Sequence, residues 1–145
     1  MKVKDCMNSK ICYAKQDNKI SDVAKMMCDN HVGCLPVCDN NDQVVGIVTD
    51  RDIILRCIAC DKDAKSEPVK DIMSCNTCCC NAEDDIETAE GKMGQYQIRR
   101  IPVVENGKLV GMLTLGDLAK NEQVDSVDVG CTVENICCNG AKNAE

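Results

Sequence analysis

Two copies of a short acidic motif hold the side chains of this chain that are best suited to bind a ligand. Thr49-x-x-Asp52 and Thr114-x-x-Asp117 each follow an apolar run and precede a helical segment. A carboxylate at the start of a helix can accept two hydrogen bonds from the vicinal hydroxyls of a ribose, whereas it repels a phosphate. Asp52 and Asp117 therefore indicate a sugar as their partner.

Cations for a phosphate group must come from other positions. Arg51 directly precedes Asp52, and Arg99 and Arg100 directly precede the apolar run Ile101-Pro102-Val103. A guanidinium matches phosphate oxygens with paired hydrogen bonds, which favours these arginines for that role. We expect a base to lie in an apolar slot that Tyr13 either fills or stacks against. The other members of this expected slot are Val32, Leu35, Ile98 and Ile101.

The same residues also have a purely structural interpretation. A Thr followed three residues later by an acidic residue at a helix start matches a capping box, in which the two residues satisfy each other's backbone amides. Its occurrence twice does not decide the matter, because a duplication copies a cap as readily as a site. Arg99 and Arg100 alternatively form a solvated strand end. The first copy has Gly33 and Cys34 at these positions, so if only one cleft binds a phosphate strongly, we expect it to be the one that the arginines face.

An internal repeat sets the elements that position these residues. Lys4-Asp5-x-Met7 returns as Lys70-Asp71-x-Met73, and all pairs up to the Pro-Val segments are 66 apart (70 minus 4). Beyond them the second copy is one residue shorter, so Asp52 matches Asp117 at a separation of 65 (117 minus 52). The missing residue falls in the hydrophilic stretch 39–43, as a hairpin tip tolerates. One structural unit is therefore used twice.

Each copy has the periodicity of a strand, a helix, two strands and a second helix. In the first copy, apolar residues at helical spacing begin at Ile20 and end at Cys28, which predicts a helix with one apolar face. The fold class is predicted to be α+β, with two tandem repeats related by a pseudo-twofold axis. The predicted strands are 11–14, 35–38 and 44–48 with 77–80, 101–104 and 109–113, and the predicted second helices are 50–60 and 115–121.

The repeat also divides the chain. The first repeat is predicted over residues 1–61, a hydrophilic linker over 62–68, the second repeat over 69–121 and a tail over 122–145. Apolar residues of the tail predict a helix that packs on the body and is interrupted at Gly130. The last residues, 139–145, are predicted to be disordered.

Composition limits the classes of function. A chain of 145 residues with 44% hydrophobic residues is long enough to form a core, and its net charge of −7 disfavours nucleic acid as a partner. No run approaches the roughly 18 apolar residues of a membrane span. Residues 1–5 lack the shape of an export signal. We therefore expect a cytoplasmic protein without a membrane or nucleic-acid partner.

The two copies together resemble a pair of cystathionine-beta-synthase (CBS) domains, the Bateman module. Gly46-Ile47-Val48-Thr49-Asp50-Arg51-Asp52 aligns with Gly111-Met112-Leu113-Thr114-Leu115-Gly116-Asp117, and the resemblance covers roughly residues 3–121. It is strongest to stand-alone bacterial CBS pairs. The resemblance implies an adenosyl ligand (AMP, ADP, ATP or S-adenosylmethionine) between the copies and a regulated partner that the sequence does not identify. The Thr-x-x-Pro that many such repeats carry before the first helix is absent at 13–16 and 79–82.

We therefore interpret the chain as a non-catalytic sensor of adenine nucleotides. The first alternative is a structural dimerisation module with empty clefts. Met26 and Ile54 lie on helical surface without an internal partner, and this predicts a homodimer. No catalytic residue is predicted, because nothing places a base or an oxyanion hole around a cysteine, and the one histidine, His31, is expected at a helix end.

The 14 cysteines give a third interpretation, a thiolate metal or redox site. Cys75-x-x-Cys78-Cys79-Cys80 and Cys57-x-x-Cys60 have the spacing of metal knuckles, and Cys131 and Cys137-Cys138 lie in the tail. A structural zinc site needs four converging ligands, but strand alternation sends Cys79 away from Cys78 and Cys80. We expect reduced thiols that fill the core and no bound metal.

Overall fold

The chain forms two compact units of the same design. The structure is a computed structural model that describes residues 1–75 and 77–138, with the side chain of Cys138 left out. The first-repeat unit contains Cys12–Thr77 and Gly107–Leu109. The second-repeat unit contains Met1–Ile11, Cys78–Asn106 and the chain from Val110 onward. The segment that leads each repeat in the sequence thus belongs to the unit built by the other repeat.

Each unit combines a small sheet with helices, as the sequence predicts. In chain order the elements are α1 (Val3–Cys6), β1 (Ala14–Lys15), α2 (Ile20–Asn30), β2 (Cys34–Cys38), β3 (Val44–Thr49), α3 (Asp50–Asp52) with a π-helical continuation (Ile53–Ile58), a 3-10 turn (Val69–Asp71), β4 (Cys80–Asn81), α4 (Ile86–Tyr96), β5 (Arg100–Glu105), β6 (Lys108–Thr114), α5 (Leu115–Lys120) and α6 (Ser126–Cys138). The sheets have the orders β1-β2-β3 and β4-β5-β6. In each sheet the first strand runs parallel to the middle one. The fold is α+β.

The long helices end alike because both repeats use a left-handed residue at the C-cap. His31 closes α2 with a φ of 53°, and Gln97 closes α4 with a φ of 56°. This conformation stops a helix and turns the chain toward the next strand. His31 is exposed at the helix end, as the sequence predicts.

The core of each unit lies between its sheet and its helices. In the first-repeat unit α2 buries Ile20, Val23 and Met27 against Leu35 and Val37. The predicted apolar face of α2 extends from Ile20 to Cys28, but Cys28 is exposed, so the buried face ends at Met27. The second-repeat unit buries the equivalent set and adds α6, whose Ile136 is part of the same core. Each core is therefore filled by aliphatic side chains, methionine and buried cysteines.

The exchanged lead segments dock on the hairpins through matching contacts. Asn8 exchanges two backbone hydrogen bonds with Met112 of β6, at 2.9 and 3.0 Å, and Ser74 does the same with Ile47 of β3. Gly111 makes room for the docked segment: a Cβ on this residue would lie 2.6 Å from the Met7 Sδ. Gly46 has the same relation to Met73. These contacts explain why Lys-Asp-x-Met is part of the repeat.

The second helices and the tail differ in part from the predictions. The predicted helix 50–60 is α-helical for three residues only and then widens into the π-helical turn. The first strands begin later than predicted, at Ala14 and Cys80. Helix α6 runs through Gly130 without the predicted interruption. Residues 139–145, for which the sequence predicts disorder, lie outside the described residues. Among the described helices, none has the length and apolarity that crossing a membrane requires.

Helix α6 packs against α4 and α5 of the second-repeat unit. Gly94 of α4 allows the close approach, because a Cβ there would lie 3.0 Å from the Cβ of Asn135. Glu90, one turn earlier in α4, is buried with its Oε1 lacking a hydrogen-bond partner within the described part of the chain. Burial, and then the charges of Asp128 and Glu87, raise the pKa of Glu90. The junction between α4 and α6 thus contains one unfavourable group.

We expect Gly111→Ala to lower the free energy of unfolding by roughly 1 to 3 kcal/mol, the usual cost of overpacking a close contact. The new methyl group would displace Met7 and the carbonyl of Asn8, 3.0 Å away. Gly91→Ala is the matched control, because a Cβ at this position of α4 meets nothing within 4 Å. Urea denaturation should show the control to be stabilised by about 1 kcal/mol. Equal stability of both variants would contradict the proposed role of the glycine.

Glu90→Gln is expected to raise the free energy of unfolding at pH 7 by on the order of 1 kcal/mol, since it removes a buried charge. An acid with a raised pKa in the folded state is protonated in both states at low pH and becomes destabilising as the pH rises above its unfolded pKa. The gain should therefore vanish near pH 4. Urea denaturation at both pH values tests this, with Glu122→Gln as control, because Glu122 is exposed and is not among the charges that act on Glu90. A gain that persists at pH 4 would refute it.

Candidate ligand site beside Arg99 and Arg100

The antiparallel pairing of the last two strands brings the predicted arginines next to the acidic motif. The backbone N–H of Leu115 donates to the carbonyl oxygen of Arg99 at 2.8 Å. The start of β5 and the start of α5 therefore lie side by side at one end of the sheet. The first-repeat unit has the same bond, from Asp50 to Gly33, at 2.9 Å. The arrangement is thus built twice, but with arginines in one copy only.

Both Thr-x-x-Asp motifs form the capping box that the sequence leaves as one of two interpretations. The amide of Asp117 donates to Thr114 Oγ1 at 3.1 Å, and the amide of Thr114 donates to Asp117 Oδ2 at 2.8 Å. The Thr114 hydroxyl also donates to Oδ2, at 2.7 Å. Thr49 and Asp52 make the reciprocal amide bonds at 2.9 and 3.1 Å. The motif therefore has a structural role in both units.

The remaining carboxylate oxygens have different surroundings in the two units. Oδ1 of Asp52 lies 3.7 Å from Nε of Arg56, whose Nη1 also donates to the carbonyl of Ile72 at 3.1 Å. In the second repeat the position of Arg56 is occupied by Asn121. All the hydrogen bonds that the carboxylate of Asp117 accepts within the described residues end on Oδ2, so the cap leaves Oδ1 for another donor.

A cleft of about 470 Å³ opens beside the arginines of the second-repeat unit. A second cavity of about 260 Å³ adjoins Arg99 and Leu115. Apart from the two arginines and Thr114, the lining is apolar. The cleft is lined by Arg99, Arg100, Thr114, Leu115, Gly116, Ala119, Val129 and Val133, and the second cavity by Arg99, Leu115, Val133, Ile136 and Cys137. Volumes of this order suit small organic ligands.

Neither guanidinium of this cleft has an ion-pair partner within residues 1–75 and 77–138. Arg99 and Arg100 are both exposed. Two adjacent unpaired cations are notable in a chain with a net charge of −7. Arg51, the third predicted phosphate ligand, is exposed and belongs to the first-repeat unit, whereas Arg99 and Arg100 belong to the second-repeat unit.

The expected base slot is distributed over both units. Leu35 and Ile101 are 1% and 0% exposed in the cores of their own units, so these side chains are occupied by packing. Ile98 is partly buried against the second core, while Val32 is 37% exposed. The ring of Tyr13, also exposed, lies under the ammonium group of Lys15 at 5.4 Å, a cation–π contact.

The 13 cysteines whose side chains the structure describes are free thiols, and the described residues bring no group of three potential metal ligands together. Burial raises the pKa of Cys78 and Cys79 and raises that of Cys80 to about 12, so these thiols stay protonated at neutral pH. Cys12 and Cys78, which match in the repeat, pack at the edges of the two cores.

Sequence reasoning missed the apolar half of the cleft. Leu115, Gly116 and Ala119 follow from the position of α5, but Val129 belongs to the tail outside the repeat. The tail's apolar periodicity predicts a packed helix, and Val133 is part of that pattern. No signal in the sequence indicates that this helix lies beside Arg99.

Comparisons with known proteins agree with the architecture. The family model "CBS domain" matches residues 3–58 and 69–123. The "CBS domain-containing protein YhcV" of Bacillus subtilis is 37% identical over 134 residues, which cover 92% of this chain and 94% of that protein.

Two solved structures of similar proteins contain ligands. The CBS domain protein PAE2072 from Pyrobaculum aerophilum, complexed with AMP, has a TM-score of 0.78 and 25% identity, with 90% of this chain and 99% of that chain covered. Hypoxic Response Protein I with two coordinated zinc ions also has a TM-score of 0.78, with 26% identity and coverages of 83% and 98%. With both repeats matched by the family model and most of its length shared with such proteins, this chain belongs to the CBS-domain family.

Proposed function

We propose that the protein is a non-catalytic sensor of an adenosyl ligand, such as AMP, ADP, ATP or S-adenosylmethionine, in the cytoplasm. The observation that carries the proposal is the cleft in which Arg99 and Arg100, which have no ion-pair partner among the described residues, adjoin the cap of α5 and apolar side chains. The AMP complex of PAE2072 supports the ligand class. Ligand binding would shift the population of two conformations of the protein, and a partner protein would read that shift.

The cleft and the helix cap at its edge offer one kind of contact for each part of a nucleotide. The guanidinium groups match the phosphate oxygens. Asp117 does not line the cleft itself, but its capping partner Thr114 does. Oδ1 of Asp117 is the acceptor proposed for a ribose hydroxyl that reaches past Thr114, a charge-assisted bond that the cap does not prevent. Capping and ligand binding are then two roles of one carboxylate, with Oδ2 serving the helix and Oδ1 the sugar.

The two alternative functions have less support. A similar protein, Hypoxic Response Protein I, coordinates two zinc ions, which is the reason to consider a thiolate metal site here. The described cysteines, however, form no group of three potential metal ligands. A purely structural module does not explain why two adjacent arginines, Arg99 and Arg100, line the cleft. Each alternative predicts no change in stability when a nucleotide is added.

Ligand binding is tested by thermal unfolding of the pure protein with AMP, ATP, S-adenosylmethionine and NAD. A ligand at 100 times its dissociation constant should add about 2.7 kcal/mol to the free energy of unfolding. Calorimetry then assigns the roles of single residues. Asp117→Asn should weaken every adenosyl ligand that binds by more than tenfold, because a charge-assisted bond is worth roughly 1.5 to 3 kcal/mol. Arg100→Ala should weaken AMP and ATP and leave adenosine nearly unchanged.

The stability of Asp117→Asn is the control for this experiment. Asparagine retains an oxygen that can accept the Thr114 amide bond, so stability should fall by less than the ~0.5 to 2 kcal/mol of a lost cap. Unchanged nucleotide affinity in both variants, with lower stability in the first, would mean that the motif is a helix cap only. In that case the proposed function would be wrong.

We also propose that the protein is a homodimer. Ile54, Leu55 and Ile58 form an exposed apolar patch on the π-helical turn, with exposures of 55%, 46% and 64%. Met26, expected to lack an internal partner, instead packs partly against the core of its own unit. Burial of such a patch is the usual driving force for association. The second-repeat unit has no comparable patch at the matching positions, which are Ala119, Lys120 and Gln123.

Light scattering at micromolar concentration should give the mass of two chains, and Ile58→Asp should shift the protein toward the monomer. Val127→Asp is the matched control, because Val127 is 67% exposed on α6 of the other unit. A stable monomer of the unaltered chain would contradict the dimer proposal.

A further inference from the structure

Several differences between the two repeats meet at one cavity. Arg99 and Arg100 stand where the first copy has Gly33 and Cys34. Both arginines line the cleft of the second-repeat unit. A duplication starts with identical copies, so the cationic rim is a feature of one copy rather than of the shared fold.

The room inside the cavity also comes from residues of the second copy. Gly116 and Ala119 line the cleft where the first copy has the much larger Arg51 and Ile54, each 65 positions earlier. A Cβ on Gly116 would meet only the Thr114 hydroxyl, at 3.6 Å, so the space beside it is open. Small residues here leave the cavity unfilled, and their effect goes beyond helix packing.

Part of the lining comes from α6, which has no counterpart in the first copy. Val129 and Val133 of α6 line the same cleft as the two arginines, and Ile136 lines the adjoining cavity together with Arg99. The family match ends at residue 123, three residues before α6 begins (126 minus 123). This part of the lining therefore belongs to this chain's tail and not to the CBS unit.

We propose that α6 forms the base-binding wall of the ligand site: the phosphate of a nucleoside phosphate lies on Arg99 and Arg100, and its purine ring packs against Val129 and Val133. This inference rests on the proposed function and assigns the ligand class more narrowly. S-Adenosylmethionine carries no phosphate, so this site selects AMP-like ligands over it. A flat apolar ring suits a slot between aliphatic side chains, where it is removed from water.

The buried state of two expected slot residues supports this placement of the base. The side chains of Leu35 and Ile101 are buried in the cores of their units, whereas Val133 is 38% exposed and lines the cleft with the arginines. The apolar surface that α6 adds to the cleft is thus both open and part of the same lining as the cations. The two cavities also share Arg99 and Val133, so one ligand can extend from the cleft toward Ile136.

Photolabelling of the full chain with 8-azido-AMP tests where the purine lies. Mass spectrometry of tryptic peptides should place the label on the peptide that follows Lys120, which contains all of α6. Excess AMP should abolish the label. In parallel, calorimetry with AMP is expected to show at least a tenfold loss of affinity for Ala119→Ile, which restores the residue type of the first copy and fills the cleft. Val127→Ala, on the exposed side of the same helix, should bind AMP as the unaltered chain does.

The outcomes separate this inference from the proposed function. If the unaltered chain binds no adenosyl compound, the proposed function is overturned and the inference with it. If AMP binds but the label falls outside the α6 peptide, or Ala119→Ile binds AMP within twofold of the unaltered chain, the base lies elsewhere and only the inference is overturned. Tighter binding of S-adenosylmethionine than of AMP would also overturn it.

Discussion

The exchange of lead segments is the constraint on which the rest of the structure depends. A three-stranded sheet with two helices on it is small, and each sheet gains an extra backbone partner from the segment that precedes the other repeat. Each lead segment packs closely on the hairpin at a glycine, Gly46 or Gly111, where a Cβ would collide with the segment's methionine. Val3 and Val69 then enter cores to which their own repeats do not belong. Neither repeat can complete its core from its own contiguous sequence.

The sequence predicts the repeated elements well because their signals are local. The apolar face of α2, the strands β2 and β3 and the position of His31 at a helix end all follow from spacing within a dozen residues. The lead segments are harder to predict, because Lys4-Asp5-x-Met7 marks a repeat without revealing which copy it joins. The π-helical turn after Asp52 likewise has no local signal, since Ile53 to Ile58 has the composition of an ordinary apolar helix. The position of α6 depends on a long-range contact at Gly94.

The candidate site shows the same division. The motif Thr114-x-x-Asp117 and the pair Arg99 and Arg100 are predictable as chemistry, and the pairing of β5 with β6 brings them together. Two residues of the expected base slot, Leu35 and Ile101, are instead buried in the cores of their units. A single sequence does not distinguish an apolar residue that faces a ligand from one that faces its own core. The two interpretations of Asp117 are compatible, because the cap uses Oδ2 and the proposed ribose bond would use Oδ1 of the same carboxylate.

The divergence of the two copies has a consequence for the shape of a dose response. The first copy has Gly33 and Cys34 in place of the arginines, and Arg51 and Ile54 in place of the small residues that line the cleft. If the second copy holds the one phosphate site, as proposed, a single chain would fill along a simple hyperbola, because there is no second ligand to couple to the first. A steeper response would then have to come from coupling between chains of an assembly.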